Sequence, residues 1–284
     1  MTRIYGLLGH GISYSLSPAM QNAAFKKAGI DAEYRIFDTA PDGVDAFFRN
    51  ILRSGVSGLN VTVPYKVRAH DFIKTYGHVD EAADMLGAVN TIAIKRKSLF
   101  GYNTDAYGFT RSLWTDLKFD PSLKNVLICG MGGAGAACAM EIAKTAGRVF
   151  VYDIDKKKTD IFAERFLKFF PEEKLSRIND ARDGMKEALS QCSLLVNATP
   201  FGRNQDELLI DGSFFHEELK VYDLIYNPPE TPLVKEARKA GLKAAGGTGM
   251  LLYQGAKSFR IWTGRRAPVR VMKDALMNAL GRAG

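Results

Sequence analysis

The glycine run Gly130-Met131-Gly132-Gly133-Ala134-Gly135 is the first stretch of this chain with a recognisable chemical use. It fits the spacing G-x-G-x-x-G. It directly follows an apolar segment at 125–129 and opens a small-residue helical segment at 134–146. That placement, strand then glycines then helix, is the context that gives the pattern meaning. The first glycine permits a tight turn, the second lets backbone approach a pyrophosphate, and the third lets helix and strand pack closely. The free N–H groups at the helix start then face the phosphates. A second strand, 148–152, runs into Asp153, 18 residues beyond Gly135. A carboxylate there accepts hydrogen bonds from the ribose 2′-OH of NAD and repels the 2′-phosphate of NADP. The spacing therefore predicts a dinucleotide site that favours NAD. Lys156, Lys157 and Lys158 soften that preference if one folds back toward the ribose; a solvated helix start is the simpler reading of them.

A second set of polar residues sits where strands end in the first part of the chain: Ser15 and Ser17, Asn60 and Thr62 with Lys66, Asn90, and Asp105. Each has a plain structural reading beside a functional one. Ser17 suits an N-cap. Asn60 and Thr62 alternate with Val61 and Val63, so they share one strand face, and polar strand faces usually meet water. Lys66 reads equally as a surface lysine, and Asp105 as a cap of the helix that follows it.

The elements that would position these residues alternate strand and helix throughout. Strands are expected at 4–8, 34–37 and 58–63, with a hairpin of 89–94 and 98–102 turning across 95–97. Helices are expected from Ser17-Pro18 to a stop at Gly29, over 41–53, and from Pro64. A connecting helix at 104–117 leads to the βαβ unit around the glycine run, which implies a parallel sheet. Strands at 193–197 and 221–225 and a helix at 232–240 continue it. Two helices at 249–280 are expected to return to the first domain. The result is an α/β chain of two domains, 1–105 plus 246–284 and 106–245, the second Rossmann-like.

Composition fits a globular enzyme: 284 residues, 46% hydrophobic, 25% charged. No apolar run reaches the ~18 residues of a membrane span, and residues 1–6 lack a signal-peptide core, so a cytoplasmic protein is expected. The formal charge of +8 suits anionic small molecules. The basic residues are scattered, so nucleic acid is not an expected partner. Cys129, Cys138 and Cys192 lack zinc or CxxC spacing, so no metal is expected and free thiols are.

Taken together, the motifs carry a family resemblance. Ser15-Leu16-Ser17-Pro18, Asn22, Phe25, Asn60-Val61-Thr62-Val63-Pro64 with Lys66, Gly87-Ala88-Val89-Asn90-Thr91 and Asn103-Thr104-Asp105 occur in order. The glycine run, Asn197-Ala198-Thr199, Tyr226-Asn227-Pro228, Thr231-Pro232-Leu233, Gly249-Met250-Leu251 and Gln254-Gly255-Ala256 follow. In these the chain resembles the shikimate dehydrogenases and their quinate/shikimate relatives, nearly end to end. The resemblance implies that Lys66 and Asp105 are the catalytic pair. It implies that Ser15, Ser17 and Tyr226 lie at the substrate carboxylate, and that Asn60, Thr62, Asn90 and Gln254 bind ring hydroxyls. Thr199, Leu224, Gly247 and Met250 would line the nicotinamide side. The implied reaction is NAD(P)-linked oxidation of shikimate to 3-dehydroshikimate in a cleft between the domains, by a monomer or homodimer.

That chemistry suits the residues. Oxidising a secondary alcohol moves a hydride to the cofactor and a proton to the protein. The four histidines, His10, His70, His78 and His216, lie outside the motifs, so Lys66 is expected to handle the proton and Asp105 to orient it. The chain departs from the commoner pattern at Tyr14 and Gln21, where His is usual, at Ala106, where Gly is usual, and at Asp153, where an Asn-Arg-Thr loop for NADP is usual. NAD use is more typical of the quinate/shikimate branch, whereas Ser17 is the shikimate-type residue. The alternatives are a paralogue acting on quinate or another hydroxylated ring acid, and a nucleotide-sensing protein without activity. A sensor has no need of Lys66 and Asp105.

Overall fold

The chain is described here from a computed structural model covering residues 2–204 and 208–283. Its elements run β1 (Arg3–Gly9), α1 (Ser17–Lys27), β2 (Ala32–Asp38), α2 (Val44–Asn50), β3 (Val56–Val61), α3 (Lys66–Tyr76), β4 (His78–Val79), α4 (Glu81–Leu86), β5 (Thr91–Lys95), β6 (Ser98–Tyr102) and α5 (Asp105–Leu117). They continue with β7 (Asn125–Cys129), α6 (Gly133–Ala143), β8 (Arg148–Tyr152), α7 (Lys156–Phe166), β9 (Leu175–Arg177), α8 (Asp183–Ser190), β10 (Leu194–Asn197), β11 (Lys220–Asp223), α9 (Pro232–Lys239), β12 (Ala244–Ala245), α10 (Thr248–Thr263) and α11 (Val269–Ala283). The chain divides into two compact units. One runs up to Gly108 and resumes at Leu251; the other is Phe109–Met250. The sequence reading put the boundaries at 105/106, within the connecting helix, and at 245/246; the two units divide three and five residues later, inside α5 and α10.

The first unit is built on a six-stranded sheet in the order β2-β1-β3-β5-β6-β4. β1 runs parallel to both its neighbours, and β3, β5 and β6 pair antiparallel. The apolar period of residues 44–52 is realised in part. Val44, Phe48 and Ile51 are buried, but α2 stops at Asn50 and a 3-10 turn over Ile51–Arg53 leaves Leu52 exposed. α11 packs against α1.

The second unit is a parallel sheet in the order β12-β11-β10-β7-β8-β9. Counted within the unit this is 3-2-1-4-5-6 from the β9 edge, the doubly wound order of dinucleotide-binding domains. The order reverses between β7 and β10, and the glycine run leaves the end of β7 at that point. Val126, Leu127, Ile128 and Cys129 are all inaccessible to solvent, as expected for a central strand covered on both faces.

Several boundaries depart from the sequence reading. The strand expected at 58–63 ends at Val61, and Val63 is exposed in a turn. α3 starts at Lys66 rather than Pro64. Ser17 is not a cap: Leu16 holds the N-cap position in a helical conformation and no side chain caps α1. Asp105 is likewise the first residue of α5.

Candidate active site

In the first unit the polar segments converge. α3 starts with Lys66 and α5 starts with Asp105, and Lys66 Nζ donates to Asp105 Oδ2 at 2.7 Å. The two side chains are 14% and 9% exposed. This is a largely buried ion pair, a geometry that is strongly destabilising to break by removing one partner. Asn90 fixes the other oxygen: its Nδ2 donates to Asp105 Oδ1 at 2.7 Å and to Thr104 Oγ1 at 3.1 Å. Asn90 Oδ1 accepts from the Thr104 N–H and from the Thr91 hydroxyl. The Asp105 N–H is taken by Asn103 Oδ1. Each carboxylate oxygen thus has a charged or amide donor, and the carboxylate cannot turn without breaking a bond.

A second buried layer adjoins this one. Asn60 is 4% exposed, so the expectation of a water-facing strand side fails there. Its Nδ2 reaches the Asn90 carbonyl, Thr91 Oγ1 and Ser258 Oγ at 3.2, 3.0 and 2.9 Å. Its Oδ1 accepts from the Tyr34 hydroxyl at 2.9 Å. Ser258 also meets Thr91 and Thr104 and donates to the Gln254 carbonyl one turn back in α10. Thr62 follows β3, half-buried, with its N–H on the Leu8 carbonyl. Ser15 Oγ accepts from the Ser17 N–H, and Gln254 Nε2 turns back to the Leu251 carbonyl. Gln21, at a departure from the family pattern, is fully buried and donates to the Gly255 carbonyl at 2.9 Å.

In the second unit the candidate cofactor site is made of backbone. Gly130 has φ +99°, and a Cβ there would lie 2.7 Å from the Ala198 carbonyl carbon. A Cβ on Gly135 would fall 1.8 Å from the Gly130 oxygen. A Cβ on Gly132 would meet nothing within 4 Å. Two glycines of the run are therefore required by the fold, while the middle one borders open space at the start of α6. Met131 is buried, and its N–H donates to Asp153 Oδ2 at 2.8 Å. Gly133 and Ala134 open α6.

Asp153 is 9% exposed, and its Oδ1 accepts the Asp155 N–H at 2.9 Å. The carboxylate thus locks the glycine run to the β8–α7 turn, keeping spare acceptor capacity on each oxygen. Lys158 Nζ stands 3.8 Å from Oδ1, so one of the three lysines does fold back. Asp155 caps α7 at the Lys157 N–H.

Thr199 Oγ1 and N–H both bind Asn197 Oδ1, and the Leu224 N–H binds the Asn197 carbonyl. The Gly247 N–H binds the Ile225 carbonyl, and the Met250 N–H reaches the Tyr222 hydroxyl. Beneath these loops Asp223 is fully buried and accepts from Asn197 Nδ2, the Ile225 N–H and Thr231 Oγ1. Burial without a counter-ion raises its pKa, and the three neutral donors oppose that rise. Tyr226 lies in this unit, just beyond β11. Cys129 and Cys192 are buried thiols pushed up to about 12 by desolvation.

The comparisons bear on both units. The chain matches the shikimate dehydrogenase substrate binding domain over residues 7–92 and the shikimate 5′-dehydrogenase C-terminal domain over 247–277. A shikimate dehydrogenase (NADP+) of Methanopyrus kandleri is 40% identical over 98% of this chain and 96% of its own. The chain belongs to the shikimate dehydrogenase family. As a member of that family it is an oxidoreductase acting on a CH–OH group. The shikimate dehydrogenase of Thermus thermophilus, solved with NADP(H) and shikimate, superposes with a TM-score of 0.86 at 31% identity, covering 98% of this chain and 100% of that one. The quinate dehydrogenase of Corynebacterium glutamicum, solved with NAD, does so with a TM-score of 0.88 at 30% identity, covering 98% and 99%. This shikimate dehydrogenase family member has no helix, among its described residues, long and apolar enough to cross a membrane.

Tyr34 and Ser258 escaped the sequence reading. Ser258 had a signal: it stands four residues beyond Gln254, on the same helix face. Tyr34 had none, since an aromatic in a strand reads as core.

Proposed function

We propose that this chain oxidises the secondary alcohol of shikimate to 3-dehydroshikimate, reversibly, with a nicotinamide dinucleotide as partner. The Lys66–Asp105 pair carries this reading: a 2.7 Å ion pair, largely buried, at the starts of two helices. As the neutral amine, Lys66 Nζ takes the hydroxyl proton when the alcohol is oxidised and becomes the ammonium of the ion pair; in the reductive direction that ammonium returns the proton. Asp105 holds Nζ through one oxygen and is itself held by Asn90 through the other. Ser15, Ser17 and Tyr226 receive the substrate carboxylate, and Asn60, Thr62, Asn90 and Gln254 stand on the ring side. Asn60 and Asn90 act there chiefly by holding their neighbours, since the amides of both are engaged within the protein.

The first unit is the substrate side in this reading, and the second the dinucleotide side. The bound dinucleotide supplies the hydride acceptor. Gly132 with the N–H groups of Gly133 and Ala134 at the start of α6 holds its pyrophosphate, Gly130 and Gly135 give the turn and close packing that allow the approach, and Asp153 holds the ribose. Thr199, Leu224, Gly247 and Met250 line the nicotinamide. Asp153 favours NAD, because a 2′-phosphate would meet a carboxylate already fixed in place by two backbone donors. A second reading rests on Lys158: at 3.8 Å from Asp153 it offsets that charge and supplies a cation for the phosphate of NADP, the cofactor named for the Methanopyrus relative.

Steady-state kinetics with shikimate and quinate, each with NAD and NADP, test both readings. The expected result is the highest kcat/KM for shikimate with NAD. A preference for NADP selects the Lys158 reading, and a preference for quinate moves the chain to the quinate branch. Turnover of neither acid overturns the proposal.

A further inference from the structure

We propose that Tyr34 is a positioning residue that fixes the orientation of the Asn60 amide, and that Asn22 acts through it. The inference rests on the reading above that Asn60 stands on the ring side of the substrate.

The argument starts at the edge of a sheet. β2 is the outer strand and pairs only with β1. The N–H and C=O of a strand residue point to the same side, so residues facing the open edge need outside partners. At Tyr34 those partners are one side chain. Asn22 Oδ1 accepts the Tyr34 N–H at 2.7 Å, and Asn22 Nδ2 donates to the Tyr34 carbonyl at 3.1 Å. The carboxamide thus stands where a further strand would bind, and ties this one residue to α1. Asn22 is five residues along α1 from Ser17, and neither the catalytic pair nor the ring contacts account for it.

The held residue reaches inward. The Tyr34 ring is fully buried beside Trp262, with ring centroids 6.0 Å apart. Its hydroxyl donates to Asn60 Oδ1 at 2.9 Å. Burial raises the phenol's pKa, so it stays a neutral donor wherever the enzyme works. Phenylalanine would fill the same space, so the hydroxyl is what distinguishes this residue. Its donation fixes the orientation of the Asn60 amide. With Oδ1 toward Tyr34, Nδ2 faces the Asn90 carbonyl, Thr91 Oγ1 and Ser258 Oγ. A flipped amide would set oxygen against the Asn90 carbonyl, which cannot donate. One hydroxyl therefore sets the amide layer behind the ring site.

Tyr34→Phe tests this in full kinetics, with thermal melting and with dinucleotide affinity measured separately. The expected result is a fall of about tenfold in kcat/KM for shikimate, mainly through KM, the equivalent of one buried hydrogen bond. Dinucleotide affinity stays within twofold of wild type. The cycle with Asn60→Ala is non-additive: the double variant is no more than about twofold worse than Asn60→Ala alone, because the phenol acts through that amide. A residue with only a structural role would lower the melting temperature and leave both the KM and the cycle unmoved. Unchanged kcat/KM in Tyr34→Phe, or full additivity with Asn60→Ala, overturns the proposal. Should Tyr34→Phe fail to fold, Asn22→Ala reads the same chain of contacts, with an expected rise of about threefold in shikimate KM; no rise overturns it. Wild-type protein inactive toward shikimate defeats the underlying functional reading and this inference together. Active wild type with an indifferent Tyr34→Phe defeats the inference alone.

Discussion

The first unit holds the Lys66–Asp105 pair with side chains, and the second shapes its glycine run with backbone. Around Lys66 and Asp105, Asn90, Thr91, Thr104, Asn60 and Ser258 form one buried hydrogen-bonded layer. Around the glycine run the decisive facts are a positive φ and two places where a Cβ would strike backbone. The difference follows from the task. A proton-transfer pair needs its lone pairs and protons pointed, which side-chain donors and acceptors do. A pyrophosphate needs close approach to N–H groups, which requires that side chains be missing. Substitutions in the two units should therefore fail in different ways.

The largest effect is expected at Gly135→Ala. Its Cβ would lie 1.8 Å from the Gly130 oxygen, so backbone must move. The second unit should lose about 3 kcal/mol or more of stability and its dinucleotide affinity together, as read by thermal melting and by titration. Next comes Asn90→Ala, which frees Asp105 Oδ1 and leaves the Thr104 N–H without its acceptor. Turnover should fall about a hundredfold, with about 2 kcal/mol of stability lost, while dinucleotide affinity stays unchanged. A variant that lost dinucleotide affinity instead would break the contrast between the units.

Gly132→Ala sharpens it. This residue has φ −71° and open space beyond its Cβ position. Melting should stay within a degree or two of wild type while dinucleotide affinity drops about tenfold. Equal losses at Gly132 and Gly135 would remove the distinction between ligand-facing and packing glycines.

The smallest effect lies away from both sites. The Lys74 ammonium, and then His70, hydrogen-bond Asp84 and hold its carboxyl below the ordinary range. A depressed native pKa stabilises the fold above the ordinary carboxylate pKa, and that stabilisation fades as pH falls through the lower native value. Asp84 is nearly half exposed, so Asp84→Asn should cost under about 1 kcal/mol at pH 7. The gap from wild type should close in melts taken at progressively lower pH.

The same contrast explains what the sequence made legible. The cradle could be read because glycine spacing and apolar strands are local signals, and they place β7, α6 and β8 with their functional turn. Lys66, Asp105 and Asn90 were legible only as a set of motifs, because the residues that join them are far apart in the chain. Ser17 and Asp105 read as caps from local preference, but tertiary contacts placed them inside helices. Tyr34 was invisible, because a strand aromatic reads the same whether or not its hydroxyl is used. α4 was missed because a helix of six residues gives too few turns for periodicity to register, and α8 because it lacks the Thr-Pro start that marks the equally long α9.

The most direct test of the account is Lys66→Ala, assayed for turnover of shikimate and for dinucleotide affinity on the same preparation. The account predicts turnover reduced by about a thousandfold or more, with dinucleotide affinity within twofold of wild type and a folded protein by thermal melting. Near-normal turnover in that variant would contradict it, and the proton would then have to leave through another group.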